Sequence, residues 1–175
     1  SEMCIRDRYI SEIVDDFNIM NPIDYCNNPT VNLITHRYYE ICKKNNINFT
    51  ISIKNANIDF IKEHDITALL DNLLENAVES ALMTNEKFID FSISTRNSNF
   101  VIIKISNSCN KKPKYIDGTL VSSKSTSGMH GIGTRSIKRV VEKYNGNLEM
   151  KFDNDTKTFT SVIGINSNLP SNNQS

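Results

Sequence analysis

The stretch Asp71–Ala81, "DNLLENAVESA", decides the fold because it combines an apolar helical stripe with two asparagines one turn apart. Its apolar residues recur every three or four positions, which predicts an amphipathic helix packed on a core. Asparagine is a mediocre helix former, since its amide competes for backbone hydrogen bonds. At about 100° per residue, Asn76 falls on the margin of the stripe, with Asn72 and Glu79 next to it. That position predicts an amide oxygen at the rim of a pocket.

An amide oxygen beside an apolar slot suits a Mg²⁺ ion that bridges phosphates, because Mg²⁺ takes few protein ligands and keeps several waters. The alternative is chance pairing, because the chain is rich in asparagine throughout. The helix by itself leaves both interpretations open.

Hydrophobic periodicity predicts this helix and the elements that precede it. A helix ends near Met20, a second opens at the cap pair Asn28-Pro29, and the alternating residues 47–54 form a strand. The long helix that carries the asparagines runs from an N-cap at Asp65 to about Met83. Its buried face is predicted to consist of Leu69, Leu70, Leu73, Leu74, Ala77, Val78 and Ala81.

Downstream of this helix, the hydrophobic pattern changes from helical periodicity to two-residue alternation, and later returns to helical periodicity. It predicts strands within 88–95 and 100–106, a polar segment over 107–130 without periodicity, a helix over 131–144, and a hairpin of 147–153 with 158–166. Asn145-Gly146 stops that helix. Side chains predicted to face the core are Ile89, Phe91, Ile93, Val101, Ile103, Ile105, Ile137, Val140, Val141 and Tyr144. These elements predict an α/β two-layer sandwich, in which helices cover one face of a mixed sheet. A fully parallel doubly wound sheet fits less well.

Composition excludes several function classes. The 175 residues carry 20 basic and 20 acidic side chains. The chain therefore has no basic excess that would favour a nucleic-acid partner. The four cysteines form no close pair and the three histidines show no metal-ligand spacing, which predicts a reducing, cytoplasmic location without a structural metal. No apolar run approaches the roughly 20 residues that cross a bilayer.

Two further motifs point to phosphate and base binding. In Gly128–Lys138, "GMHGIGTRSIK", three glycines precede a helix, where free N–H groups favour an anion. Neither a Rossmann nor a Walker pattern completes there, and a flexible lid hinge is the alternative. In Ile103–Cys109, "IKISNSC", a strand ends on Asn107, whose amide can read a base edge or simply terminate the strand.

Together and in this order, the three motifs resemble the GHKL ATP-binding domain of DNA gyrase, heat-shock chaperones, sensor histidine kinases and MutL proteins. The likeness covers roughly residues 64–165. "DNLLENAVESA" is similar to the asparagine box, "IKISN" stands at the aspartate-glycine box, and "HGIGTRSIKRVVEKYNG" resembles the second glycine box. The details look most like sensor histidine kinases of the accessory-gene-regulator type. Residues 25–47 resemble the segment that joins the dimerisation helices of those kinases to their ATP-binding domain. The resemblance implies a Bergerat-type fold.

The resemblance also implies ATP and Mg²⁺ as cofactors, with Asn76 as the metal ligand and Asn72 on the phosphate side, both as catalytic residues. Hydrolytic members carry a glutamate at the position of Asn72, and an amide cannot be a general base. Phosphoryl transfer to a protein is therefore favoured over hydrolysis. The ATP-binding residues so implied are Asn72, Asn76, Glu79, Asn107, Ser123, Lys124, His130, Gly131, Ile132, Gly133 and Thr134.

The chain departs from the family pattern at several positions. Asn107 replaces the usual aspartate, and Ser108 and Cys109 replace an asparagine and a glycine. Met129 occupies the first glycine of the glycine box, and Thr134 stands where leucine is usual. These departures bear on nucleotide affinity more than on the fold.

Four segments are predicted along the chain. Residues 1–9 read as a translated sequencing-adaptor end and are predicted to be an assembly scar. Residues 10–46 would be the end of a dimerisation helix with the linking helix, 47–166 the GHKL domain, and 167–175 a disordered tail. The phosphoacceptor histidine would lie on the missing upstream helix, which leaves His36 as a surface or packing residue.

The resemblance thus implies a truncated sensor histidine kinase that transfers the γ-phosphate of ATP to a histidine in quorum-sensing-like two-component signalling. Its partners would be the histidine-bearing helices of a homodimer and a response regulator, with membrane contact only through the missing region. Two alternatives remain open. One is a stand-alone serine kinase of the anti-sigma type, and the other is a non-catalytic interaction module.

Overall fold

The computed structural model describes residues 25–54, 56–116, 119–121 and 132–172. Within these ranges lie three helices, α1 (Pro29–Lys44), α2 (Glu63–Leu82) and α3 (Ile132–Lys143). The strands are β1 (Asn48–Lys54), β2 (Phe88–Arg96), β3 (Phe100–Ser108), β4 (Lys114–Ile116), β5 (Thr119–Val121), β6 (Asn147–Asp153) and β7 (Thr158–Asn166). The helix predicted to end near Met20 falls outside the described residues.

Five strands form one mixed sheet in the order β1-β2-β3-β7-β6. β1 runs parallel to β2, and the other neighbours in this sheet are antiparallel. The predicted lack of structure over 107–130 is wrong in part, because β3 continues to Ser108 and β4 pairs with β5. Strands of three residues are too short for a two-residue period to register in the sequence.

The helices cover one face of this sheet, which confirms the two-layer architecture. Its opposite face is polar and includes Lys104, Glu149, Lys151 and Thr160. The predicted core residues of α2, α3, β2 and β3 are all buried. The buried hydrophobic side chains of the sheet are Ile89, Phe91, Ile93, Val101, Ile103, Ile105, Phe159, Ile163 and Ile165.

The helix α1 begins where the sequence predicts. The Asn28 side chain accepts a hydrogen bond from the Val31 amide at 3.0 Å, and Pro29 occupies the first helical position. Lys43 and Lys44 lie in the last turn, where cations favour the helix dipole. The cap therefore follows from local chemistry alone.

The predicted N-cap of α2 at Asp65 is wrong. The helix begins at Glu63, with Lys62 as a cap residue that contributes no side-chain hydrogen bond. The Asp65 carboxylate instead binds Lys143 and Tyr144 at the end of α3, each at 2.7 Å. The Lys62 amide donates to the Tyr144 hydroxyl at 2.9 Å, so the residue that follows α3 satisfies this donor.

The helix α3 ends as the sequence predicts, and the chain after β7 returns to it. Asn145 adopts a positive φ of 51°, and the Gly146 amide donates to the Val141 carbonyl at 2.8 Å. The Asn172 amide donates to the Lys143 carbonyl at 2.7 Å, and the Asn145 amide group donates to the Pro170 carbonyl at 2.6 Å. Residues 167–172 therefore contact the end of α3, whereas 173–175 lie outside the described residues, and the predicted disorder of the tail stays a prediction.

Candidate functional site

A stripe of polar residues on α2 forms one wall of the candidate site. Asn72, Asn76 and Ser80 are four residues apart, so their side chains follow one another along the helix over about 12 Å. All three are half-buried, whereas Glu79 is exposed. The opposite face of α2 is embedded in the core, which fixes the direction of the stripe. The predicted pocket-rim position of the asparagines is consistent with this placement.

The Asn72 end of the stripe lies against the start of α3. The Asn72 amide group donates to the Ala68 carbonyl at 2.6 Å. A Cβ added to Gly133 would lie 2.8 Å from Asn72 Oδ1, closer than real Cβ contacts allow. The absence of a side chain at Gly133 therefore lets the backbone of α3 approach the asparagine helix.

The first turn of α3, with its backbone N–H groups, lies beside Asn72. A helix N-terminus leaves such donors without helical partners and carries a partial positive charge, which together favour an anion. No acidic residue occupies this turn. Thr134 is buried. The predicted residues Ser123, Lys124, His130 and Gly131 lie outside the described residues, as does the side chain of Ile132.

The Ser80 end of the stripe lies beside the end of β3. Asn107 is 3% exposed and faces the helix layer between Ile89 of β2 and Phe159 of β7. Its amide nitrogen donates to the Ser108 carbonyl at 2.9 Å. The Ser80 hydroxyl donates to the same carbonyl at 3.3 Å. The structure thus brings Asn107 to the far end of the stripe that begins at Asn72.

A hydroxyl cluster fixes this end of β3, and the sequence-based prediction did not include it. Ser108 Oγ lies 2.9 Å from Thr84 Oγ1 and accepts a hydrogen bond from the Phe88 amide at 3.2 Å. Thr84 Oγ1 is also 2.7 Å from the Ala81 carbonyl. The four-residue spacing of Ser80 from Asn76 was the one signal in the sequence that could have indicated Ser80.

The helix α1 docks on α2 next to the asparagine stripe. Arg37 forms an ion pair with Asp71, and the Tyr38 hydroxyl donates to the Asp71 carbonyl at 3.1 Å. Burial, with the nearby Asp71 carboxylate, raises the pKa of Tyr38 to about 12. The phenol is therefore a neutral hydrogen-bond donor, and α1 contacts the residue that immediately precedes Asn72.

Residues 61–165, which contain the asparagine stripe, the Gly133 contact and Asn107, match the family model described as the GHKL domain. The chain belongs to the GHKL domain family. Both ends of the site described above fall within the matched part of this GHKL domain. The resemblance of the three motifs to this family is therefore confirmed.

A curated relative of this GHKL domain is the probable C4-dicarboxylate sensor kinase of Bacillus subtilis (strain 168). The two are 29% identical over an alignment of 112 residues, and the match covers 60% of this chain. The chain matches 20% of the length of that kinase.

Solved structures share the fold of this GHKL domain. The catalytic domain of histidine kinase ThkA, in a nucleotide-free form, superposes with a TM-score of 0.58 at 18% identity, covering 79% of this chain and 91% of that one. The mycobacterial sensor histidine kinase MprB gives a TM-score of 0.57 at 13% identity, covering 78% and 95%. At these identities the likeness shows the common fold.

The described residues contain neither a membrane-spanning helix nor a metal cluster. No described helix combines the length and apolar character needed to cross a bilayer. Across the same residues, no group of three or more histidine, cysteine or acidic side chains is placed to hold a metal.

Proposed function

We propose that this GHKL domain binds ATP with Mg²⁺ and transfers the γ-phosphate to a histidine on a separate helix. The contact between Asn72 and Gly133 carries the proposal, because it brings the asparagine helix against the anion-favouring start of α3. A triphosphate placed there would meet amide groups on one side and backbone N–H donors on the other. Positioning and charge neutralisation, rather than covalent chemistry, would be the domain's contribution.

The two ends of the site suit the two ends of a nucleotide. The first turn of α3 lies at the Asn72 end, and the buried amide of Asn107 lies at the Ser80 end. An extended nucleoside triphosphate also carries its phosphates and its base at opposite ends. This correspondence supports the predicted roles of Asn72 at the phosphates and Asn107 at the base.

The residues present fit a magnesium ion held mainly by phosphate. Within the described ranges, the half-buried Asn76 side chain makes no hydrogen bond, so its oxygen is available as a ligand. A single neutral amide suits Mg²⁺, which draws most of its ligands from phosphate oxygens and water. The ion would supply charge neutralisation at the transferred phosphate.

Transfer to a protein acceptor is favoured over hydrolysis. An amide at position 72 cannot remove a proton from water, and its nitrogen is already bonded to the Ala68 carbonyl. Among the described histidines, His36 stacks on Tyr39 with ring centroids 6.3 Å apart, which supports a packing role. We therefore place the acceptor histidine on a dimerisation helix upstream of α1.

The wider assignment follows from that placement. The full protein would be a homodimeric sensor histidine kinase anchored in the membrane, with this domain on the cytoplasmic side and a response regulator as the next phosphate acceptor. Support comes from the Bacillus subtilis relative, a probable sensor kinase of which this chain matches 20%. The quorum-sensing subtype stays a proposal that rests on the resemblance of residues 25–47.

A calorimetric titration with ATP, with and without Mg²⁺, tests the proposal. We expect magnesium-dependent binding by the wild type and a loss of about 10-fold or more in Asn76→Ala. Asn85→Ala, at an exposed position in the turn before β2, is the matched control and should bind as the wild type does. Absence of binding by a folded wild-type domain would overturn the kinase assignment.

A second assay tests the transfer itself. The domain is mixed with radiolabelled ATP and an upstream histidine helix from the full-length gene, and labelled products are separated by acid and alkali stability. We expect an acid-labile, alkali-stable label on the helix. Label on the serine of another protein, or steady release of inorganic phosphate, would contradict histidine transfer.

A further inference from the structure

The strand β1 forms one edge of the five-stranded sheet and pairs with β2. The Asn48 amide donates to the Lys87 carbonyl at 2.9 Å, so Asn48 directs its backbone groups toward β2. Backbone groups alternate sides along a strand, so those of Phe49, Ile51 and Ile53 point away from the sheet. No described residue forms a hydrogen bond with them. β1 therefore presents a row of backbone donors and acceptors at this edge.

This edge lacks the features that keep natural sheet edges from pairing. Charged side chains, proline and bulges are the usual ones. β1 contains no proline or bulge, and its one charged residue is Lys54 at its end. The strand at the opposite edge, β6, is charged at Glu149, Lys151 and Asp153. β1 is thus open to pairing with a further strand.

The apolar side of β1 is only partly covered. Phe49, Ile51 and Ile53 are half-buried, whereas Phe91 on the neighbouring β2 is 1% exposed. Phe49 stacks on Phe91 with ring centroids 6.5 Å apart, so the core reaches the edge strand. A strand added to β1 would remove more of this apolar surface from water, which is favourable.

The helix α1 extends the same surface. α1 contacts β1, whereas α2 contacts β2 and β3, so the side of α1 opposite α2 faces beyond the edge. Arg37 marks the α2 side through its ion pair with Asp71. At about 100° per residue, His36 and Tyr39 lie away from that side, and their half-buried rings stack. Aromatic surface therefore flanks the open edge.

A second copy of the chain fits the backbone groups of this edge. Two β1 strands related by a two-fold axis perpendicular to the sheet run antiparallel. The register that pairs all seven residues of β1 places Ile51 opposite Ile51 of the partner subunit. Phe49 then lies opposite Ile53 of the partner subunit. Every edge-directed backbone group thus meets another, and the apolar sides of the two strands adjoin.

The exposed side of β1 is compatible with this register. Thr50 lies opposite Ser52 of the partner subunit, and Lys54 lies opposite Asn48 of the partner subunit. Like charges directly opposite each other destabilise a strand pair, and none meet here. The exposed side therefore does not oppose the pairing.

We propose that β1 is a dimer interface, through which two copies of this domain join their sheets edge to edge. Such an isologous contact uses each β1 once and therefore closes at two copies. α3 contacts β6 at the other edge of the sheet, so the pairing leaves the candidate site between α2 and α3 accessible. The inference concerns this domain alone and does not rest on the proposed function.

The register provides a charge test that is specific to this edge. In Thr50→Lys/Ser52→Lys, lysines lie opposite each other twice, whereas Thr50→Lys/Ser52→Glu sets opposite charges there. Sedimentation equilibrium of the 175-residue chain measures the dissociation constant of the dimer. We expect a reversible wild-type dimer, weakened about 10-fold in the first variant and strengthened about threefold in the second. A variant that failed to fold could not dimerise more tightly.

The matched control adds the same charge as the two lysines at exposed positions away from β1. Asn147→Lys/Asn168→Lys should dimerise as the wild type does. Circular dichroism spectra and thermal midpoints establish that each variant is folded. Equal dissociation constants for the two Thr50/Ser52 double variants would overturn the antiparallel pairing.

Amide hydrogen exchange identifies the residues at the contact. We expect the amides of Phe49, Ile51 and Ile53 to gain about 10-fold protection at high protein concentration, because their exchange requires the dimer to open. The amides of Thr50 and Ser52, which face β2, should be protected at every concentration. A dimer in which the first three amides gain no protection would overturn the inference, as would a chain that stays monomeric up to about 1 mM. Either result leaves the ATP titration, and with it the proposed function, untouched.

Discussion

Asn72 Oδ1 and the backbone of Gly133 occupy adjoining space, so that a methyl group on Gly133 would come within 2.8 Å of that oxygen. Gly133 has no positive φ, and its backbone is therefore one that alanine also adopts. The close approach of the Asn72 side chain, rather than backbone strain, favours glycine here. This contact joins the asparagine helix to the glycine segment.

Replacing Gly133 by alanine tests the contact directly. In a helix alone, alanine is favoured over glycine by about 1 kcal/mol, so the change would stabilise an isolated α3. Here the methyl group must displace the Asn72 amide, which is bonded to the Ala68 carbonyl. Because Asn72 Oδ1 is the far end of a flexible side chain, we expect a fall in the free energy of unfolding of about 1 kcal/mol, the value of the lost hydrogen bond, in urea denaturation.

The double variant Asn72→Ala/Gly133→Ala is the matched control, because removing the amide opens the space for the methyl group. In the Asn72→Ala background, the effect of Gly133→Ala should fall to about zero or become stabilising. The same loss in both backgrounds would show that another contact opposes a side chain at Gly133.

Asp65 should make the stability of the fold pH-dependent. Burial raises the pKa of its carboxyl group, but hydrogen bonds from Lys143 and Tyr144 and the Lys143 charge outweigh this, so the net pKa is lowered. A carboxyl group with a lowered folded pKa stabilises the fold above its unfolded pKa of about 4. That contribution is lost as the pH falls through the folded pKa.

We therefore expect Asp65→Asn to lower the free energy of unfolding by about 1.5–3 kcal/mol at pH 7. The difference from the wild type should shrink as the pH falls below about 4. Denaturation curves at several pH values measure it, with Asp90→Asn, exposed on β2, as the control. A difference that persists unchanged at low pH would exclude the ionised carboxylate as its cause.

The docking of α1 should depend more on Tyr38 than on Arg37. The Tyr38 side chain is buried and its hydroxyl bonds the Asp71 carbonyl, so Tyr38→Phe should cost about 1 kcal/mol of unfolding free energy. The Arg37 side chain is 52% exposed, and solvent screening limits its ion pair to less than about 1 kcal/mol.

Salt separates these two contributions. In about 1 M NaCl the effect of Arg37→Ala should disappear, because exposed charges are screened at that ionic strength. The hydrogen bond from the Tyr38 hydroxyl to the Asp71 carbonyl joins two neutral groups, so most of the effect of Tyr38→Phe should remain in salt, and only the part due to the nearby Arg37 and Asp71 charges should be screened. A complete loss of the Tyr38→Phe effect in salt would contradict the neutral hydrogen bond inferred for this tyrosine.

Cysteine reactivity should distinguish Cys42 from Cys26. Cys42 is 1% exposed, and burial raises the pKa of its thiol to about 11, so almost no thiolate forms near neutral pH. Cys26 is only half-buried. With iodoacetamide at pH 8, site-resolved mass spectrometry should find Cys26 alkylated first and Cys42 alkylated only as the protein unfolds. Equal rates in the native protein would contradict the packing of α1.

Local patterns account for most of the elements. The cap pair Asn28-Pro29 places the start of α1, and alternation places Ile89, Phe91 and Ile93 on the buried side of β2. Both patterns depend on residues close together in the chain. The prediction failed at Asp65, whose carboxylate bonds α3 instead of capping its own helix.

The sequence by itself determined the three described helices, the five strands of the main sheet, their buried faces and the family, because hydrophobic periodicity and short motifs are local properties. Only the tertiary structure decided that Gly133 lies against Asn72, and that the Ser80 hydroxyl donates to the Ser108 carbonyl. These contacts join elements far apart in the chain. Their geometry depends on how helices and sheet pack, and no local pattern encodes it.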